Sequence, residues 1–194
     1  MPASRLRLDV QGLRAIAVVS VVAFHAGLQV PGGFVGVDIF FVISGFVITG
    51  MLNRELLSKG SVNLKLFYLR RAKRLAPALA VVLVFGLIAS FFILSPFGSQ
   101  QVAAITAASA IFMGGNVAIE VLTGGYFGND GQLNPFLHTW SLSVEEQFYL
   151  VYPPLLVIAW ALLGRKPLHA KKRAVVWGLA ALASLSFVLS IASS

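Results

Sequence analysis

Apolar side chains occupy long runs of this chain, and polar side chains concentrate between the runs. A membrane-spanning helix needs about 20 predominantly apolar residues. About six segments reach or approach that length. They are Leu13–Val30, Phe34–Leu52, Leu75–Leu94, Val102–Leu122, Phe148–Leu163 and Ala174–Ile191. The pattern predicts an all-α, polytopic transmembrane helix bundle with no soluble domain between its segments.

The composition agrees with a membrane protein and excludes several other classes. Of 194 residues, 58% are hydrophobic and only 11% are charged, whereas soluble domains carry about 25% charged residues. In such a chain the net charge of +8 is better explained by lysine and arginine in cytoplasmic loops than by nucleic-acid binding. The absence of cysteine excludes disulfides, a thiol nucleophile and a thiolate metal site. We therefore expect lipid as the surrounding partner, no nucleic acid and no metal.

Lysine and arginine give the expected orientation in the cytoplasmic membrane. The N-terminal arm carries Arg5 and Arg7, and the link between the second and third segments is strongly basic. The links after the first and third segments contain neither Lys nor Arg. Because cytoplasmic loops carry the excess of cations, we expect the N-terminus and the second link to be cytoplasmic.

The later link Arg165–Arg173 conflicts with this rule if every segment spans, because it is basic and would lie outside. The fourth segment is Ala-rich and includes Gly114, Gly115 and Asn116. Irregular backbone at membrane depth is tolerated only where protein or a watery cavity covers it. We expect a re-entrant fourth segment, which leaves Thr123–Glu146 extracytoplasmic. If this segment spans instead, that stretch is cytoplasmic.

Two ionisable residues interrupt the first apolar run, "LRAIAVVSVVAFHAG". Arg14 and His25 are eleven positions apart, which on a helix places them on one face and about 16 Å apart along the axis. Arg14 at the helix start also fits an arginine that snorkels to the interface. His25 fits a functional group within a span or a histidine satisfied by a backbone carbonyl. A histidine side chain is a suitable general base for a hydroxyl.

Asp38 lies early in the second segment, within "GGFVGVDIFFVISGF". His25 lies late in the first segment, so we expect the two side chains to meet at similar depth. A carboxylate that accepts one imidazole N–H raises the basicity of the other nitrogen. The alternative is that Asp38 caps a helix that starts slightly later. Ser44 and Gly45 form a small-residue packing site in mid-span.

A basic cluster, "RRAKR", directly precedes the third span. It contains Arg71 and Arg74. Such a cluster fits a topology determinant that binds anionic lipid headgroups, and it equally fits a site for a phosphorylated cytoplasmic ligand, because guanidinium groups bind phosphate bidentately.

Polar and titratable residues concentrate once more in "PFLHTWSLSVEEQFYLVYP". Ser143 and Glu146 match a capping box that would open the fifth helix. That pattern leaves two adjacent glutamates at the entry of an apolar helix unexplained, and one of them should face the bundle interior. We therefore take Glu146 as a candidate catalytic residue beside His25 and Asp38. The candidate substrate-binding residues are His138, Glu145 and Tyr149.

These four stretches, in this order, resemble the acyltransferase family 3 membrane proteins, the bacterial O-acyltransferases of sugars and peptidoglycan. The resemblance covers about the first 150 residues. By its motifs it assigns Arg14 and His25 in the first helix, Arg71 and Arg74 in the basic cluster, and the glutamate pair. Family members have more spans than this chain holds, so we expect residues 1–194 to be part of a transmembrane acyltransferase domain without its C-terminal spans.

The resemblance implies an enzyme that transfers an acyl group, usually acetyl, from cytoplasmic acyl-CoA to a carbohydrate hydroxyl beyond the membrane. The acceptor would be peptidoglycan, lipopolysaccharide or exopolysaccharide. Arg14, Arg71 and Arg74 would bind the CoA phosphates, and His25 would act as general base. Direct transfer is favoured over a covalent intermediate, since neither Ser nor Cys is clearly placed as an acyl carrier. The alternatives are a non-catalytic truncated fragment and a transporter with a polar pathway.

Overall fold

A computed structural model describes residues 7–124, 133–162 and 168–192. Every element in these ranges is a helix, and the expected all-α class is confirmed. The elements are α1 (Leu8–His25), a 3-10 turn (Gly33–Val35), α2 (Gly36–Lys59), α3 (Leu64–Ile93), α4 (Ser99–Ile111), α5 (Gly115–Thr123), α6 (Thr139–Leu162) and α7 (Leu168–Ala192).

Three helical stretches in the described part of the chain are long and apolar enough to cross a bilayer. These are Leu8–His25, Gly33–Lys59 and Leu64–Ile93, which correspond to the first three expected segments. The expected number of about six spans is not confirmed. Arg5, Arg165 and Lys166, which entered the charge argument, lie outside the described residues.

The chain divides into two compact units. The first comprises Met1–Tyr149 and the second Leu150–Ser194. All candidate site residues named above belong to the first unit. The second unit contains the later part of α6 and α7.

A close antiparallel hairpin of α1 and α2 begins the first unit. Gly32 turns the chain with a φ of +75°, a left-handed conformation that glycine adopts without a Cβ clash. A Cβ on Gly33 would lie 2.6 Å from the Ser20 carbonyl oxygen, and one on Gly36 would clash with the Ala17 carbonyl oxygen. The two glycines therefore allow α2 to pack directly on the backbone of α1.

The fourth expected segment, Val102–Leu122, is not one helix. It breaks at Met113, which has a φ of +61°, so that α4 and α5 form separate helices of 13 and 9 residues. At about 1.5 Å per residue, neither helix reaches across a hydrocarbon core of about 30 Å. A cavity of about 260 Å³ is lined by the first residues of α4 and the last residues of α5. The segment therefore folds back on itself as a helical hairpin.

Contacts along α6 define its direction. Ser44 of α2 bonds Glu145, and Tyr68 of α3 bonds the Tyr149 carbonyl. At the opposite end of α3, an ideal Cβ on Gly86 would lie 2.5 Å from the ring of Phe136, which precedes α6. Because rising numbers in α6 pair with falling numbers in α3, the part of α6 up to Tyr149 runs antiparallel to α3. Its first turn therefore lies on the side of Gly86, and its second turn, with Glu146, reaches Arg71 in the basic start of α3.

The apolar core of this unit lies where the α4–α5 hairpin meets α3. Leu83, Ala103, Ala107 and Phe136 form a buried cluster, against which Leu79 and Leu94 pack. Alanines on α4 allow it to approach α3 closely, as small residues do in membrane helix packing. Asn134 bonds Thr106 at 2.9 Å, so the chain before α6 is also attached to α4.

Candidate active site

A cavity of about 390 Å³ lies among α1, α2, α3 and α6. We call it the arginine cavity, because four guanidinium groups line it. Its charged and polar lining side chains are Arg14, Ser44, Arg70, Arg71, Arg74, Glu145 and Tyr149. Apolar side chains, among them Phe40, Ile48 and Phe67, form the remaining lining. The cavity thus combines a cationic wall with an apolar interior.

Arg71 is held firmly by two carboxylates and one aromatic ring. Its Nε donates to Glu146 at 2.7 and 2.9 Å, and its Nη2 also contacts Glu146. The same Nη2 lies 3.8 Å from Glu145 Oε2, and the guanidinium lies 3.3 Å from the centroid of the Tyr149 ring. Glu146 is 5% exposed. This buried ion pair joins α3 to α6.

Glu145 accepts two further hydrogen bonds within the cavity. Ser44 Oγ donates at 2.7 Å and the Tyr149 hydroxyl at 2.5 Å, both to Oε1. Ser44 is therefore more than the small-residue packing site that its position in the sequence suggests. The carboxylate connects α2 with α6 beside the ion pair of Arg71.

The other three arginines of the cavity differ from Arg71. Arg14 lies over the ring of Phe40, with 5.0 Å between the guanidinium carbon and the ring centroid. Arg70 and Arg74 are exposed. Within residues 7–124, 133–162 and 168–192, no carboxylate forms an ion pair with any of these three. Their charge is thus available to an anionic ligand.

His25 and Asp38 do not form the expected pair. The imidazole Nδ1 lies 2.8 Å from the Val21 carbonyl oxygen of its own helix, and the ring packs edge-on against Phe24. No hydrogen bond or ion pair joins His25 to Asp38 in the described structure. Asp38 is exposed in the first turn of α2, three residues after the N-cap Val35. There its negative charge interacts favourably with the positive end of the helix dipole, although Asp38 is not the capping residue.

A family model described as an acyltransferase domain matches residues 7–193. The chain belongs to this acyltransferase family. It is 39% identical over 156 residues to the peptidoglycan O-acetyltransferase OatA of Listeria monocytogenes, covering 77% of this chain and 24% of the relative. It is 41% identical over 162 residues to the O-acetyltransferase OatA of Staphylococcus aureus, covering 80% and 25%.

The match covers most of this chain but only a small part of each relative. The chain spans about a quarter of the length of these two relatives. No solved structure matches it. The family expected from the motifs is confirmed, and the roles of individual residues remain predictions.

The glutamate motif of this acyltransferase domain does not open a helix as a capping box. Helix α6 begins at Thr139, four residues before the proposed cap. Ser143 Oγ instead accepts the backbone N–H of Gly115 at 3.0 Å. Gln147 Nε2 donates to the Met113 carbonyl at 2.7 Å and to Asn116 Oδ1 at 2.9 Å. Ser143 and Gln147 of α6 thus form hydrogen bonds with the backbone N–H of Gly115 and the carbonyl of Met113, at the break between α4 and α5.

One motif of the acyltransferase family therefore supplies two separate contacts. Glu145 and Glu146 face α2 and α3, whereas Ser143 and Gln147 face the break in the hairpin. His138 is exposed immediately before α6, its carbonyl oxygen accepts Ser141 Oγ at 3.2 Å, and it does not line the arginine cavity. The structure thus brings together Arg14, Arg71, Arg74, Glu145, Glu146 and Tyr149 of the predicted residues, and separates His25, Asp38 and His138 from them.

A second cavity of about 250 Å³ adjoins the first. We call it the apolar slot. It runs along Ala17, Val18, Val21 and Val22 of α1 and shares three lining residues with the arginine cavity, which are Phe40, Leu142 and Glu145. The slot therefore covers the stretch of α1 between Arg14 and His25.

Arg70 is the cavity residue that sequence reasoning did not assign. It follows Phe67 by three residues and precedes Arg74 by four, the spacing of one helix face. That spacing is visible in the sequence once α3 is known to begin at Leu64. No group of three or more potential metal ligands occurs in the described residues.

Proposed function

We propose that this chain carries the donor-binding part of a membrane O-acyltransferase, which transfers an acyl group, in the first instance acetyl, from acyl-CoA to a carbohydrate hydroxyl. The arginine cavity is the observation that supports this most strongly. Coenzyme A presents phosphate groups on a long, less polar arm. The cavity presents three arginines that form no ion pair with any described residue, beside an apolar interior. Charge-assisted bonds from guanidinium to phosphate are strong and directional. Bound acyl-CoA would supply the activated acyl thioester.

The proposed orientation places the arginine cavity at the cytoplasmic side of the inner membrane. The positive-inside rule assigns the N-terminus and the basic link before α3 to the cytoplasm. Helix α6, antiparallel to α3, then begins on the outer side and runs toward the cytoplasm. The next cations in the sequence, those of the link Arg165–Arg173, follow α6, as the rule requires. A re-entrant α4–α5 hairpin supports this orientation, because it returns the chain to the outer side.

The apolar slot offers a route between the two ends of α1. Arg14 and His25 are about 16 Å apart along the axis, so a donor anchored at the arginines needs an arm that reaches outward. The slot is lined almost entirely by apolar side chains along this part of α1, which suits a thin and weakly polar arm. We infer that the acyl end of the donor travels along the slot toward His25.

His25 is the proposed general base for the acceptor hydroxyl. Its Nδ1 contacts the Val21 carbonyl, a contact that favours a proton on Nδ1 and a lone pair on Nε2. Such an imidazole would take the hydroxyl proton while the oxygen attacks the acyl carbon of the thioester. The C–S bond then breaks, CoA leaves as the thiolate, and the proton held by the imidazole is available to neutralise it. Asp38, without a bond to His25, would then act through its charge at the outer end of α2. Among acceptors, peptidoglycan is favoured by the named substrate of the Listeria relative.

The test is an ester assay on whole cells. The full-length protein, His25→Ala and His169→Ala are expressed in a bacterial strain that lacks surface-glycan O-acetylation. Acetate released from purified glycans by mild base is then quantified, and immunoblots confirm equal abundance. A positioned base contributes about 10²- to 10⁴-fold to rate, so we expect esters with the parent and His169→Ala and almost none with His25→Ala. Equal ester levels in all three strains would refute the role of His25.

A further inference from the structure

The geometry points to Arg70 as a phosphate-binding residue that acts with Arg14 and Arg74, while Arg71 is a positioning residue that binds no phosphate. This assignment rests on the proposed function, because it concerns the donor of that reaction. It departs from the motif, in which Arg71 and Arg74 form the basic pair. The difference lies in which guanidinium groups are already engaged by carboxylates and which are not.

Arg71 has little capacity left for a phosphate. Its Nε and Nη2 face Glu146, and Nη2 also lies 3.8 Å from Glu145. One face of its guanidinium lies on the Tyr149 ring. An incoming phosphate would therefore meet two carboxylates at the same place as one cation, and repulsion by the carboxylates opposes binding.

Arg70 presents the opposite situation. It lines the same cavity, its side chain is exposed, and no carboxylate in the described ranges pairs with it. Arg70 and Arg74 lie one turn apart, about 6 Å along the axis of α3. Arg14 adds a third guanidinium from α1. Three unpaired forks around one cavity match a ligand with several phosphate oxygens.

Arg71 then acts through its neighbours. By joining α3 to Glu146 of α6, it fixes the rotation of the α3 turn that carries Arg70 and Arg74. The Arg71 guanidinium suits this positioning role because Glu146, Glu145 and the Tyr149 ring already hold it in one orientation. The ligand class is a nucleotide-bearing thioester with a diphosphate. A membrane lipid headgroup carries the same phosphate chemistry, so the experiment must separate the two sources.

The experiment measures equilibrium binding of CoA and of 3′-dephospho-CoA to the full-length protein in nanodiscs. One set of nanodiscs contains phosphatidylcholine alone, and a second set also contains phosphatidylglycerol. The variants are Arg70→Gln, the double variant Arg71→Gln/Glu146→Gln, and Arg54→Gln. The double variant removes both members of the Arg71–Glu146 pair, and Glu145 keeps its hydrogen bonds from Ser44 and Tyr149. Arg54 is an exposed arginine of α2 outside the arginine cavity, and it is the matched control.

We expect Arg70→Gln to raise the Kd for CoA about tenfold in both lipid compositions, the loss of one charge-assisted contact. Arg54→Gln should stay within about threefold of the parent. The double variant loses positioning but no phosphate contact, so it should raise the Kd for CoA less than Arg70→Gln does. In turnover assays Arg70→Gln should raise KM for the donor and leave kcat unchanged, as loss of uniform binding does. A merely structural role for Arg70 would lower thermal stability and would not produce this split.

Three results would overturn the assignment. In the first, the double variant loses CoA affinity about tenfold while Arg70→Gln binds like Arg54→Gln, which returns the phosphate contact to Arg71. In the second, Arg70→Gln binds CoA normally but retains less phosphatidylglycerol by native mass spectrometry, which makes the lipid the source of the phosphate. In the third, the parent protein binds neither CoA nor its dephospho form, and then the proposed donor itself is wrong.

Discussion

Replacing Glu146 by glutamine should destabilise the helical bundle more than any other single carboxylate-to-amide change in the described residues. The side chain of Glu146 is 6% exposed and that of Arg71 is 23% exposed. Removing one partner of a buried ion pair costs about 3–5 kcal/mol. Arg71 retains Glu145 at 3.8 Å and some contact with solvent, so we expect a loss of about 2–3 kcal/mol in the free energy of unfolding.

The measurement is SDS-induced unfolding of the full-length protein in mixed micelles, followed by circular dichroism. Glu120→Gln is the matched control, because this carboxylate is exposed on α5 and surface changes cost within about 0.5 kcal/mol. Arg71→Gln/Glu146→Gln should recover part of the loss, since the pair is then removed together. If Glu146→Gln is no less stable than Glu120→Gln, the ion pair does not hold α3 to α6 and the reasoning fails.

Further predictions concern helix packing and the broken hairpin. Gly36→Ala should lower the free energy of unfolding by about 1–3 kcal/mol, because the new Cβ clashes with the Ala17 carbonyl. Gly12→Ala, with open space around it, should raise that free energy by about 0.5–1 kcal/mol. Thermal unfolding of both variants checks that the two changes have opposite signs. Gln147→Leu should cost about 1–3 kcal/mol by leaving the Met113 carbonyl without its donor, and faster proteolysis at the break would reveal it. Parent-like protection would contradict this role.

The sequence was sufficient for the fold class and the first three spans. Apolar runs of about 20 residues dictate helices in a bilayer, and the observed α1, α2 and α3 each cover most of the corresponding predicted segment. The fourth segment was expected to be irregular from its glycines and asparagine, and it is broken. The position of the break at Met113 was not predictable from local sequence, because the Met113 carbonyl accepts its hydrogen bond from Gln147, which lies 34 residues away in the chain.

The candidate site was predictable in composition and only partly in arrangement. The motifs identified Arg71, Glu145 and Glu146, but local spacing could not reveal that Arg71 binds Glu146 across 75 residues. The expected contact of His25 with Asp38 failed because the two residues do not lie at equal depth. Gly36 packs against Ala17 and Arg14 lies over Phe40, so Asp38 is level with a part of α1 about two turns before His25.

The capping-box pattern at Ser143 was wrong for a related reason. A Ser-x-x-Glu sequence favours a helix start when the preceding residues are not helical. Here Thr139 already begins the helix and bonds the Phe136 carbonyl at 2.7 Å. Ser143 instead accepts a hydrogen bond from Gly115 at the break between α4 and α5. This tertiary contact cannot be predicted from the local sequence around Ser143.

The most direct test of this account is the sidedness of acyl transfer in sealed proteoliposomes of the full-length protein. Radiolabelled acetyl-CoA is supplied only on the side where the basic start of α3 is accessible to protease, and a peptidoglycan fragment is enclosed in the lumen. The account predicts labelled ester on the enclosed glycan, with Arg70→Gln requiring more donor for the same rate. Label that appears only on glycan placed on the donor's own side, or only when acetyl-CoA is supplied from the opposite side, would contradict it.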